Sequence, residues 1–204
     1  MPNHVENNLN VFGDAQDVQA FRKMFIIEKD GNESATYDLI YPMPPQLNAE
    51  TAPLPKRDGE TDEQYKSRMK QYKKEYGFDN WYDWRIANWK TKWDVYDFNL
   101  YLDDSDNIEC TFSSAWSPPI GWLEKAIQMF PNLHFRMDYM DEGDNYCGMA
   151  VGIDGEMADQ EAAVEYQDDN GNKVVYSVKN GCYMRGKDEI LDEDFYPNRI
   201  NPLV

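Results

Sequence analysis

The apolar positions of this chain change period several times, and each change marks an expected element. Val5, Leu9 and Val11 alternate imperfectly from His4 to Phe12, which reads as a strand closed by Gly13. Asp14 offers an N-cap, and Val18, Phe21, Met24 and Phe25 then recur at helical spacing, with Gly31 and Asn32 expected to end that helix. From Glu33 to Asp62 the pattern dissolves. Tyr37 to Tyr41 could pair briefly, Pro42, Pro44 and Pro45 force an extended path, and residues 48–59 read as a mobile polar stretch. Asp62 is expected to cap a polar helix with Tyr65, Met69 and Tyr72 on one face, closed by Gly77, and a second helix opens at Asn80 or Asp79 and runs through Trp81 to Trp89.

Alternation returns at Val95, Phe98, Leu100 and Leu102 and again at Ile108, Cys110 and Phe112, on either side of a polar turn at 103–107, which predicts a hairpin. Ser117 as N-cap with Pro118 at the first helical position predicts a helix whose buried stripe is Ile120, Leu123, Ala126, Ile127 and Phe130. Leu133, Phe135, Met137 and Tyr139 alternate as a half-buried strand, with Tyr146 to Ile153 its hairpin partner. Together these elements spell β-α-β-β-α-β, an α+β ferredoxin-like core over residues 1–153 with a helical insertion at about 30–93 before the second strand. Residues 154–204 read as an acidic C-terminal β extension. It is built on a hairpin across Asn170-Gly171, and its tail either forms a turn of helix over 189–194 or stays mobile.

Composition sharpens this picture. The 14 Tyr, 9 Phe and 6 Trp supply large side chains that fill a core while offering a hydroxyl or indole N–H to a polar partner. Three widely spaced cysteines, Cys110, Cys147 and Cys182, with only His4 and His134 beside them, suit neither a disulfide framework nor a zinc site. They read as reduced thiols in a cytoplasmic protein, and the chain has no apolar run long enough to span a membrane. No metal, cofactor or catalytic residue is expected: no nucleophile-elbow, zincin or phosphate-loop motif occurs. His134 alternates with Leu133 and Phe135, so it is expected to face away from them as an ordinary strand residue.

The net charge of −18 falls almost entirely on one half: residues 1–93 hold 15 acidic and 13 basic residues, whereas 94–204 hold 23 and 7. Such a surface disfavours nucleic acid and membranes and favours a partner with a basic face. The candidate acidic surface comprises Asp103, Asp104, Asp106, Asp141, Asp144, Asp168, Asp169, Asp192, Glu193 and Asp194. Turn chemistry explains each cluster locally, and none has the spacing of a calcium loop.

The second distinctive feature is aromatic. Trp81, Trp84 and Asn88 share one face of the second insertion helix, and Tyr82, Ile86 and Trp89 fall on another. Such a helix is commonly wedged between a sheet and a covering segment. As a ligand platform it would use Trp81 and Trp84 with Arg85, Asn88 and Lys92 as polar contacts, and Trp93, Trp116 and Glu142 complete the candidate set. Arg85 is expected to reach a carboxylate such as Asp94 or Glu142. The preceding helix carries Lys66, Arg68, Lys70, Lys73 and Lys74 interleaved with Tyr65, Tyr72 and Tyr76, a pattern that fits a solvated face and also a nucleic-acid contact.

Five stretches, MPNHVENNLNVFG, YDLIYPMPPQL, WYDWRIANWKTKWD, FSSAWSPPIGWLEKAIQMFPNLHFRMDYMDEG and NYCG, resemble in this order the YubB ferredoxin-like family of plasmids, phages and integrated elements. The resemblance covers residues 2 to 150 and implies a ferredoxin-like core but no reaction. Lys90 departs from the family's pattern, which usually has Gly at what reads as a helix end. Two functions follow as expectations. In the first, the chain is a non-enzymatic accessory protein of a mobile element whose acidic half binds a host protein, as a nucleic-acid mimic or anti-defence factor. In the second, it is a nucleic-acid or small-ligand binding module built on the tyrosine-rich and tryptophan-rich helices. Its oligomeric state is left open.

Overall fold

The computed structural model describes residues 3–29, 31–49, 51–141, 147–160, 165–167, 173–177, 182–185, 188–189 and 198–199, with side chains described through residue 157. Strand β1 (His4–Phe12) turns its alternate residues Val5, Asn7, Leu9 and Val11 into the core. The imperfect alternation has a physical resolution: the amide of Asn7 donates to the carbonyls of Val5 and Phe112 (3.0 and 3.2 Å) and to Ser114 Oγ (2.9 Å), which lets a polar group sit in an apolar row. Helix α1 (Ala15–Phe25) is capped by Asp14, which accepts from Gln16 N–H at 2.9 Å, and it buries Val18, Phe21 and Phe25.

The helix ends earlier than its pattern suggests. The β-branched pair Ile26-Ile27 begins strand β2 (Ile26–Lys29), which pairs with β3 (Asn32–Ala35) across the left-handed Gly31. Residues 37–41 form a turn rather than a strand, with Tyr41 N–H donating to the Tyr37 carbonyl at 2.9 Å. A 3₁₀ turn (Pro45–Leu47) follows. The stretch expected to be mobile is pinned by buried Leu47 and Leu54 and by Tyr65 Oη, which donates to the Leu54 carbonyl at 3.0 Å.

Helix α2 (Asp62–Tyr76) is capped by Thr61, one residue before the expected Asp62. Thr61 Oγ1 accepts from Gln64 N–H while the Gln64 side chain accepts from Thr61 N–H, and Gly77 closes the helix in the left-handed region. Helix α3 (Trp81–Asn88) is capped by Asn80.

Strands β4 (Tyr96–Asp103) and β5 (Asn107–Ala115) form the expected hairpin. Helix α4 (Ile120–Met129) begins later than predicted, because the Ser117 hydroxyl donates to the Lys90 carbonyl instead of capping the helix. Strand β6 (His134–Asp141) pairs with β7 (Cys147–Ile153), and β8 (Glu156–Gln160), which the pattern did not announce, continues the sheet.

The six strands lie in the order β4-β5-β1-β6-β7-β8, antiparallel throughout. Taken with α1 and α4, the quartet β1, β4, β5 and β6 has the ferredoxin-like connectivity, and the segment between α1 and β4 is the insertion. The core is aromatic: Phe25 lies 4.8 Å (centroid to centroid) from Trp122, which lies 5.0 Å from Tyr37, and all three rings are fully buried. Such pairs add about 0.5–1.5 kcal/mol each beyond the area they bury.

A second sheet has the order β12-β11-β10-β9-β13, from β9 (Glu165–Gln167), β10 (Lys173–Ser177), β11 (Cys182–Arg185), β12 (Asp188–Glu189) and β13 (Asn198–Arg199). Its β9–β10 pair sets Val174 opposite Tyr166, the hairpin the sequence announces. The start of the expected helical turn, Glu189, lies in β12, and the rest of that turn falls outside the described residues.

Candidate functional site

Helix α3 is where the two aromatic faces separate. Trp84 points inward: it is 5% exposed and packs against Tyr41 and Trp89 at 5.5 and 5.6 Å. Trp89 is fully buried too, and its indole N–H donates to the Tyr41 carbonyl at 2.8 Å. Asn88 accepts from Tyr41 Oη at 2.6 Å and donates to the Trp84 carbonyl at 2.8 Å. Trp84 and Asn88 therefore serve the core and the helix end rather than a ligand platform, because burial and internal hydrogen bonds consume them. Asn88 also borders a polar pocket of about 260 Å³ with Gly121, the two bases Lys90 and Lys125 and the one acid Glu124.

The other face gathers most of the remaining candidates. Arg85 lies with its guanidinium carbon 5.2 Å from the Trp81 ring and 4.9 Å from the Trp89 ring. It forms no ion pair with Asp94, contrary to expectation. The Asp94 carboxylate accepts instead from Thr36 Oγ1 (2.7 Å), Tyr37 N–H (2.8 Å) and Val95 N–H (2.9 Å). Burial pushes the Arg85 pKa below its usual value, opposed by the fields of Asp94 and Asp38. Two buried donors here, Trp81 Nε1 and Arg85 Nε, have no hydrogen-bond acceptor among the described residues. Lys92 sits among three rings, its Nζ 4.6 Å from Trp116, 5.1 Å from Trp93 and 6.0 Å from Tyr82. Tyr82 links the two groups, lying 5.8 Å from both Trp81 and Trp116.

The backbone beneath this corner is held in conformations that large side chains rarely adopt. Lys90 has φ 68° and Trp116 φ 74°, both in the left-handed region. Lys90 thus stands at the left-handed position after α3 where glycine would cost least. Cross-bonds hold the two segments together: Thr91 Oγ1 donates to the Ala115 carbonyl (2.9 Å) and accepts from Ala115 N–H (3.0 Å), Ser117 Oγ donates to the Lys90 carbonyl, and Trp116 N–H donates to the Asn3 carbonyl at 2.9 Å. Gly121 lets α4 approach α3 closely, since a Cβ there would lie 2.0 Å from the Asn88 carbonyl oxygen. The fold thus brings Trp81, Arg85, Lys92, Trp93 and Trp116 together. Sequence reasoning missed Tyr82 as a site residue, because its link to Lys92 and Trp116 is tertiary and no local spacing encodes it.

The acidic surface fares differently. Asp141 faces the core and is 1% exposed, since it continues the inward row of Phe135, Met137 and Tyr139 on β6. Asp103 is bound by Arg22 (2.6 Å), which also meets Glu33 (3.0 Å), and the guanidinium holds the Asp103 pKa below the usual carboxylate range. Asp104 and Asp106 are exposed in the β4–β5 turn, where their backbones bond to Asn107 and Gly13. Glu142, Asp144, Asp168, Asp169, Asp192, Glu193 and Asp194 lie outside the described residues.

On the basic helix, Arg68 grips Glu60 (2.7 Å), the two side chains being 11% and 9% exposed, and it stacks near Tyr65 and Tyr72. His134 is exposed and stacks on Phe12 at 5.0 Å. Cys110 is buried, its thiol pushed up to about 12 by burial, and Cys147 is half-buried; neither forms a disulfide. Among the described residues there is no cluster of His, Cys, Asp or Glu suited to a metal, and no helix is long and apolar enough to cross a membrane.

Fold and site together define a ferredoxin-like α+β protein with an aromatic–basic corner. Residues 88–179 match the family described as the ferredoxin-like domain in Api92-like protein. That match covers under half of the chain and extends past residue 150, where the YubB resemblance stops. A crystal structure of protein api92 from Yersinia pseudotuberculosis aligns over 79% of this chain and 99% of its own, at 10% sequence identity and a TM-score of 0.42. No curated protein matches.

Proposed function

We propose that this chain is a non-enzymatic binding protein, an accessory protein of a mobile element as the YubB resemblance suggests, whose recognition face is the aromatic–basic corner. One observation carries the reading. Five basic side chains are half-buried among the described residues: Arg22, Arg68, Arg85, Lys92 and Arg136. Arg22, Arg68 and Arg136 are paired with carboxylates, whereas Arg85 and Lys92 rest on aromatic rings. In a chain of net charge −18, two half-buried cations on one face without a carboxylate partner among the described residues are the exception. A surface that keeps such cations beside an exposed ring, here Trp116, is suited to hold a target. Residues in sparsely populated backbone conformations cluster at such sites, as Lys90 and Trp116 do here.

The alternative, in which the acidic half engages a basic host protein, has the charge imbalance in its favour. Of its described carboxylates, however, Asp141 is buried and Asp103 is neutralised.

Hydrogen exchange in the presence of a bacterial extract, split into small-molecule and macromolecular fractions, tests the proposal. The expected result is protection centred on residues 81–93 and 114–117. Protection confined to the turn at 103–107 would transfer the function to the acidic half, and no protection at the corner in either fraction would refute it.

A further inference from the structure

Building on that reading of the corner, we infer that its ligand is a free nucleotide: a planar base joined to one or two phosphates. The rings specify half of this ligand. Trp116 is 40% exposed, the most open of the tryptophans, and its backbone is fixed by the bond to Asn3 and by the Thr91–Ala115 pair. A large ring held rigidly in partial exposure is a stacking platform, and every base offers a π-face to it whatever its edge chemistry.

The cations specify the other half. Lys92 lies over that ring, 4.6 Å from its centroid, so a base would stack on the opposite face while the ammonium, a flexible point charge, is the form in which lysine binds phosphate. Arg85 is connected to it through Trp81 and Tyr82, which places a second positive charge behind the same rings.

Size and charge then select among base-and-phosphate ligands. Two cations match one or two phosphates. Exposed Asp83 and Asp97 stand on α3 and β4 nearby, and the chain as a whole is strongly negative. A nucleic-acid strand would draw a row of phosphates along repulsive surface, whereas a nucleotide brings only the charge the corner can answer. An uncharged aromatic would leave Lys92 and Arg85 unmet, and free phosphate would leave Trp116 bare.

The test is a titration followed by tryptophan fluorescence and by the indole NMR signals of the intact protein. The probes are AMP, CMP, GMP, UMP and ADP, with adenosine, inorganic phosphate, a short single-stranded oligothymidine and a basic peptide as the other arms. The inference expects at least one nucleotide to bind more tightly than adenosine or phosphate. Trp116→Ala should weaken that binding about tenfold or more, the size of one base–aromatic stack. Lys92→Met should weaken nucleotide binding about tenfold or more, as for a charge-assisted hydrogen bond, while leaving adenosine unchanged. Lys66→Met, on the exposed face of α2, should change neither.

Both corner variants keep their far-ultraviolet spectrum if the fold is intact, which separates loss of the site from loss of structure. Oligothymidine bound more tightly than any nucleotide, or nucleotide binding indifferent to both corner variants, overturns the inference. If the basic peptide shifts the Trp116 indole and no nucleotide does, the nucleotide assignment fails and the corner stands as a recognition face. If no probe shifts that indole and the extract protects no corner residue, both fail.

Discussion

The two insertion helices treat their cations in opposite ways. On α2, Arg68 is clasped by Glu60 and flanked by tyrosines, and Lys73 meets Asp79 at 2.9 Å, so these two charges are answered within the molecule. On α3, Arg85 has rings where Arg68 has a carboxylate. From sequence, α2 looked the better candidate for binding an anion, because its bases are more numerous. The structure separates them by burial: Lys66, Lys70 and Lys74 of α2 stay in solvent and its half-buried Arg68 meets a carboxylate, whereas the half-buried cation of α3, Arg85, meets rings. The open cleft of about 780 Å³ along α2 illustrates the point, since Glu60 and Glu63 line it beside Arg57 and Arg68.

The contrast can be broken experimentally, and the largest effect should come from the contact that seats α3. In Gly121→Ala the new methyl group would meet a backbone carbonyl that no rotamer change can move, so chemical denaturation should show a loss on the order of 3 kcal/mol. The corner's tryptophan emission should shift with it, while the α2 cleft keeps its structure.

Next comes the clasp itself. Arg68→Met strands Glu60 and should lower the unfolding midpoint clearly more than Arg85→Met does. The pH dependence carries the same signature. Arg68 lowers the Glu60 pKa from 4.5 to about 2 in the fold, so its contribution is complete above the unfolded value and is lost as pH falls through about 2. Thermal unfolding of Glu60→Gln should therefore lack part of the acid destabilisation seen in the wild type over that window.

Smaller still is Lys90→Gly, which relieves a left-handed residue and should stabilise by about 0.5–1 kcal/mol in urea titration. Smallest is Arg85→Met, which keeps the packing between Trp81 and Trp89 and should cost less than about 1 kcal/mol, because relief of the guanidinium's burial offsets the two lost cation–π contacts. A loss as large as that of Arg68→Met would show that Arg85 is structural and end the contrast.

Much of the ferredoxin-like core was legible because its strands and helices carry clear periods. Leu133, Phe135, Met137 and Tyr139 alternate and all face inward, as Leu123, Ala126 and Ile127 do on α4. Signals failed where tertiary partners overrode local ones. Ser117 reads as a cap, but its hydroxyl is drawn to the Lys90 carbonyl, and the Ile26-Ile27 pair ends α1 before the expected glycine. The site shows the same limit. Helical spacing grouped Trp81 with Trp84 and Tyr82 with Trp89, but the structure packs Trp89 on Trp84 beside Tyr41 and sets Trp81 against Tyr82, which meets Trp116, because tertiary partners decide which rings turn inward. The departure at Lys90, by contrast, pointed straight to a left-handed residue.

The buried amide of Asn7 does something that the apolar residues around it cannot. If β1 slid by two residues along β5, every side chain would keep its face, so burial alone barely distinguishes the correct pairing from that error. Only in the native alignment does the amide reach both Phe112 and Ser114. In any shifted pairing it would be shut away from water without the Ser114 hydroxyl, keeping the Val5 carbonyl of its own strand. One polar side chain thereby acts as an address label for the central strand, trading some greasiness of the interior for a single permitted alignment.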